Sequence, residues 1–157
     1  SNKVKAHDIK FQTTKNPKTH FTASFPPQIT IDAYLFHLMK NVRTAPAIVI
    51  YMLVYIERII AVLEKNYQRQ SGKDVPFLMT SFNAHRLVLT AFLLAHKYCE
   101  DCRYSTSRMA KIGGLHPKEL LKLEVEFLKF LKFELYVSEE EFIRYHNAII
   151  LYGRELV

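Results

Sequence analysis

Few residues in this sequence are placed to do chemistry. Cys99 and Cys102 stand in a C-x-x-C spacing. That spacing serves zinc when a second ligand pair lies close by, and redox exchange when it sits in a βαβ unit. His96 is the only nearby imidazole and the surrounding residues are helical in pattern. Two ordinary thiols in a reducing compartment are therefore expected, with no metal and no cofactor. The seven histidines are scattered. No H-E-x-x-H, glycine-rich phosphate loop or nucleophile elbow organises them, so no enzyme is expected. Arg103, Arg108 and Lys111 offer an anion site beside a helix or, more commonly for such clusters, a plain basic surface. Arg58 and Arg86 are expected to be structural, Arg86 against an acid the sequence does not name.

Glu124 is out of place. Within the helical pattern starting at Pro117, Lys122, Glu126 and Lys129 recur at i, i+4 and i+7 as a solvent stripe. At 100° per residue Glu124 lies about 200° from Lys122, between Leu120, Leu128 and Leu131 on the apolar side. A carboxylate there must find a partner, reach the edge, or lie beneath another protein. An intramolecular salt bridge and a covered interface both stay open at this point. Lys97 ends a second polar stripe. Asn83, Arg86, Thr90 and Lys97 are spaced 3, 4 and 7 apart, and Thr90 is the only polar residue between Leu87 and Ala95. Its plainest role is a cation at a helix C-terminus.

The elements that carry these residues follow from periodicity. Thr30 is an N-cap candidate, and Ile31, Tyr34, Leu35, Leu38 and Val42 form one face of a first helix. A second helix is expected from about Ala45 to Tyr67, with Pro46 in its first turn, then a loop over Gln68 to Asp74. The third, about Ser81 to Tyr98, is apolar nearly all round, as suits the middle of a bundle. A short fourth runs from about Ser105 to Ile112 and is stopped by Gly113 and Gly114. The fifth runs from Pro117 to about Phe133. Its middle also alternates like a strand, but its length, the proline at its start and Glu119 in the first turn decide for helix. The sixth opens with a capping box, Ser138 with Glu141, and a staple from Val137 to Phe142. No hairpin signal competes, and the class is an all-α bundle.

Length and charge bound the rest. A chain of 157 residues, 49% apolar, is one domain with a real core. The longest uncharged apolar run, Thr44 to Ile56, is too short for a bilayer, and no N-terminal stretch has the order of a signal peptide. An intracellular protein, nuclear or cytoplasmic, without membrane contact is expected. Of the formal charge of +7, more than half lies in residues 1–20, where five lysines face Asp8 alone. Residues 1–28 are expected to form an extended or partly disordered basic arm, and residues 29–157 a single domain. The body is only weakly basic, so nucleic-acid binding is not favoured.

The segments Ser81–Leu87, with Asn83-Ala84-His85-Arg86, then Ala95–Tyr98, Arg108–Gly114 and Glu119–Leu128 resemble the cyclin box. More narrowly, they look like the single-box P-type or U-type cyclins related to the yeast phosphate-pathway cyclin. The resemblance covers roughly residues 29–146. It implies five helices around a central third one, with an extra C-terminal helix here, and a regulatory subunit that activates a cyclin-dependent kinase by clamping its mobile helix. In cyclins a lysine near the end of the third helix and a glutamate on the fifth grip that element, which maps onto Lys97 and Glu124. Glu100 and Asp101, close behind Lys97, offer a partner for kinase arginines or, more commonly for such residues, a plain solvated acidic loop. Many cyclins carry a second helical repeat, whereas the residues after Ser138 suffice for one more helix, which fits the narrower group. The protein is expected to be monomeric until its kinase binds. The competing readings are a cyclin-fold adaptor that binds without activating, and a transcription-factor-like module contacting nucleic acid.

Overall fold

The computed structural model describes residues 19–72 and 79–155. Among these, six α-helices form and no strand does: α1 (Ile31–Asn41), α2 (Ile48–Ser71), α3 (Ala84–Cys99), α4 (Thr106–Gly113), α5 (Pro117–Phe130) and α6 (Glu139–Glu155). The all-α class and the central third helix expected from the sequence are both present. Ala84, His85 and every residue from Leu87 to His96 are buried. α3 packs against α1, α2, α4 and α5, whereas α6 lies on α2. Leu89, Phe92 and Leu93 are fully buried, and each stabilises the fold by about 1.5–3 kcal/mol. α6 buries no residue, so its removal from water contributes far less. None of these helices is long and apolar enough to cross a membrane.

Helix ends depart from the pattern where local bonding overrides it. α2 starts at Ile48 rather than Ala45. Ile48, Val49 and Ile50 donate to the carbonyls of Ala45, Pro46 and Ala47, so a tighter i→i+3 turn leads into the helix. At its other end α2 continues to Ser71 and stops at Gly72, whose φ of 65° suits only a left-handed cap, with its N–H on the Gln68 carbonyl. The loop expected from Gln68 therefore begins at Gly72, and its remainder lies outside the described residues. α3 starts three residues late because Asn83 Oδ1 accepts from the Thr80 N–H at 2.9 Å and closes a turn first.

α5 stops at Phe130, three residues before the expected end. Lys132 and Phe133 hold φ of 52° and 59°, and the Phe133 N–H closes on the Leu128 carbonyl. Two side chains in the left-handed region are costly. α2 supplies the restraint that keeps them there. Arg58 donates to the Glu134 and Tyr136 carbonyls at 3.0 and 2.9 Å, and the Tyr55 hydroxyl donates to the Leu135 carbonyl at 2.7 Å. Arg58 is structural, as expected. Half of the capping box forms: Ser138 Oγ accepts from the Glu141 N–H at 3.2 Å. The other half does not, because the Glu141 carboxylate pairs with Arg58 at 2.8 Å. Val137 is buried and Phe142 packs against the core.

Residues 1–18 of the expected arm lie outside the described residues, and from Thr19 onward it is fastened down. Phe21 is fully buried and meets the Phe127 ring edge-on, centroids 5.9 Å apart. The Ala23 N–H donates to the Phe82 carbonyl at 2.7 Å. Arg86 donates to the His20 carbonyl at 3.1 Å and pairs with Glu119. Glu119 is thus the acid that the sequence left unnamed. The core thus begins before residue 29, a start the sequence does not show because one aromatic among polar neighbours has no period.

Candidate partner-binding site

Lys97 sits in the last turn of α3, Glu124 in the middle of α5, and Thr106 is the first residue of α4. The three meet. Lys97 Nζ donates to Glu124 Oε1 at 2.6 Å and to Thr106 Oγ1 at 2.9 Å, and the Thr106 hydroxyl faces Glu124 Oε2 at 3.4 Å. The Glu124 side chain is 9% exposed and that of Lys97 30%, so the carboxylate is nearly dry and the lysine is partly exposed. The expectation that Glu124 needs a partner is answered within the chain. The rest of the α3 polar stripe is engaged too, with Thr90 Oγ1 donating to the Arg86 carbonyl at 2.7 Å.

The helix backbones set this geometry. Leu120, Leu123 and Phe127 turn one face of α5 into the core and carry Glu124 with it. Ser105 starts α4 by accepting the Arg108 N–H on its hydroxyl at 3.2 Å, which places Thr106 opposite the end of α3. Sequence reasoning missed Thr106. Its contacts are to two other elements, and nothing local distinguishes it from Ser105 or Ser107.

An aromatic hollow opens at the end of α3. Tyr98 follows Lys97 and lines a hollow of about 450 Å³ with Arg58, Phe133, Glu134, Leu135 and Tyr136. Tyr98 is 46% exposed, Phe133 66% and Tyr136 71%. Three aromatic rings left in water around one hollow are unlike scattered single exposures. Phe133 escaped the sequence reading because it was placed in the last turn of α5, and Tyr136 because a lone aromatic in a loop shows no period.

The other candidates separate. Asp101 is exposed in the bend after α3. Glu100 turns the other way, and its Oε1 accepts from the Thr44 hydroxyl and the Ala45 N–H, both at 2.8 Å. The Ala45 N–H and then the Thr44 hydroxyl hold the Glu100 carboxyl below its ordinary range. Arg103, Arg108 and Lys111 are exposed on α4 and the loop leading into it, and the Arg108 guanidinium lies 3.9 Å over the Tyr104 ring. Cys99 and Cys102 are free thiols. Cys99 is exposed at the surface, and partial desolvation by its neighbours, with the Glu100 charge adding to it, pushes its thiol up to about 11. His96 does not face them as a ligand. Its Nε2 accepts from the Tyr104 N–H at 3.1 Å, and burial pushes its pKa down.

Residues 1–135 match the family model of the cyclins. The match begins ahead of the resembling segments and takes in the basic N-terminal stretch. The chain is 38% identical to PHO85 cyclin-7 of Saccharomyces cerevisiae over 127 residues, 78% of this chain and 43% of that protein. It is 31% identical to PHO85 cyclin-like protein psl1 of Schizosaccharomyces pombe over 141 residues, 90% of this chain and 54% of that protein. With Cyclin-U2-2 of Arabidopsis thaliana the identity is 35% over 119 residues, 76% and 47% of the two chains. The chain spans about half the length of these curated relatives. A central helix buried nearly all round, ringed by four others, and a match over residues 1–135 have one reading: the chain belongs to the cyclin family, and its relatives are of the P and U types.

Proposed function

We propose that the chain is a non-catalytic regulatory subunit that binds a cyclin-dependent protein kinase and holds it active by gripping its mobile helix through Lys97 and Glu124. The observation that carries the reading is the Lys97–Glu124 contact itself. A cation from α3 and a nearly buried carboxylate from α5 stand 2.6 Å apart. A helix end offers unpaired N–H and C=O groups, and this pair supplies one acceptor and one donor for them. Bonds to charged groups strengthen as a docked partner excludes water. A subunit that fits only the active arrangement of its partner shifts the partner toward it. Two fungal relatives carry PHO85 in their names, and a kinase of that kind is the proposed partner. Asp101, exposed in the bend after α3, would meet basic side chains of the kinase.

The test is a binding and kinase assay with the wild type and the Lys97→Ala/Glu124→Ala double variant. The double variant is preferred to either single one because it leaves no half-buried charge orphaned. Loss of kinase binding and activation, with helical circular dichroism and melting retained, is the expected result. Kinase activation equal to wild type would refute the reading.

A further inference from the structure

We infer that Thr106 is a positioning residue of this surface: its hydroxyl fixes the head groups of Lys97 and Glu124 in the geometry they present to a partner. The inference rests on the partner-binding reading of that pair. Lys97 ends a long flexible stem, and the Glu124 carboxylate can turn about its last bond. One contact between them, Nζ to Oε1, fixes a distance but not an orientation. The Thr106 hydroxyl adds a second fixed point to each, accepting from Lys97 at 2.9 Å and facing Glu124 Oε2 at 3.4 Å. A hydroxyl can do both at once because it carries a donor and two acceptor lone pairs.

The hydroxyl is held at both ends of its own helix. Ser105 closes the first turn of α4 by accepting from the Arg108 N–H on its hydroxyl and the Met109 N–H on its carbonyl. At the far end the Tyr34 hydroxyl donates to the Gly113 carbonyl at 2.6 Å. A β-branched residue adds a stiff χ1. Orientation set in advance is ordering that the complex need not impose.

The experiment compares Thr106→Val, which keeps shape and loses the hydroxyl, with Thr106→Ser, which keeps the hydroxyl. Thr106→Val should weaken kinase binding roughly tenfold, the equivalent of one lost hydrogen bond to a charged group, and Thr106→Ser should stay within about twofold of wild type. In the protein without partner, nitrogen NMR should show a slowly exchanging Lys97 ammonium in the wild type and in Thr106→Ser, and a fast-exchanging one in Thr106→Val. A merely structural threonine would not move that signal. Wild-type affinity in Thr106→Val, tighter binding, or failure of serine to rescue overturns the inference. If Lys97→Ala/Glu124→Ala binds as wild type, the partner reading itself falls. The positioning claim then stands or falls on the ammonium signal alone.

Discussion

Glu124 brings two carboxylate oxygens into a nearly dry place, and its neighbours meet both. Removing it strips Lys97 of its counter-charge, but Lys97 keeps some water. Glu124→Ala should therefore cost about 1–3 kcal/mol in urea unfolding, as for an unpaired buried polar group and less than for a fully buried unpaired charge. The Lys97→Ala/Glu124→Ala variant should cost less than the sum of the two singles, the mark of direct coupling. Glu100 makes a different prediction, about pH. Its folded-state carboxyl titrates below the ordinary value of 4.5, held there by Ala45 and Thr44. A lowered folded value means that its contribution is complete above 4.5 and is lost as pH falls through the lower one. The difference in melting temperature between the wild type and Glu100→Gln should be constant near neutrality and shrink on acidification below 4.5. A difference independent of pH would mean that the charged form is not what holds Thr44 and Ala45.

At the scale of the element, α4 approaches α3 most tightly where Gly113 meets Leu89. A Cβ there would overlap the Leu89 side chain, which is itself fully buried. Gly113→Ala should destabilise by about 1–3 kcal/mol, as overpacking does. The end of α5 predicts the opposite sign. Glycine accepts the left-handed backbone that Lys132 occupies at φ 52°, so Lys132→Gly should raise stability by about 1 kcal/mol and leave partner binding unchanged. The helices were legible in the sequence wherever a face was buried, which is why α3 and the misplaced Glu124 stood out. Ends were less legible. The last turn of α2 is polar and solvated, so Gly72 rather than hydrophobicity marks where it stops. The break after Phe130 depends on Arg58 and Tyr55 of α2, far away in sequence. Lys97 and Glu124 were singled out by periodicity and assigned a joint role by resemblance. Thr106 and Phe21 earn their places only through contacts across elements, which a periodicity cannot report.

For the molecule as a whole, the proposed grip combines one half-buried ion pair with the aromatic hollow at the end of α3, while the excess positive charge lies mainly in residues 1–20. Kinase affinity should thus change less than roughly tenfold between about 50 and 200 mM salt, whereas a protein neutralising about 6–10 phosphates loses about 10³–10⁵ over that range. A steep salt dependence, or affinity for duplex DNA, would favour the nucleic-acid alternative. A further consequence follows from Lys97 and Glu124 being bonded to each other before any partner arrives. Docking at that point is an exchange, in which a contact within the chain is given up for contacts across the interface and the count of polar bonds barely changes. The enthalpy from those bonds should nearly cancel, and calorimetry should find the net drive in a negative heat-capacity change from the covered rings. The charged pair then acts as a gauge of fit: a helix end that cannot match both head groups would cost the protein a bond it already had.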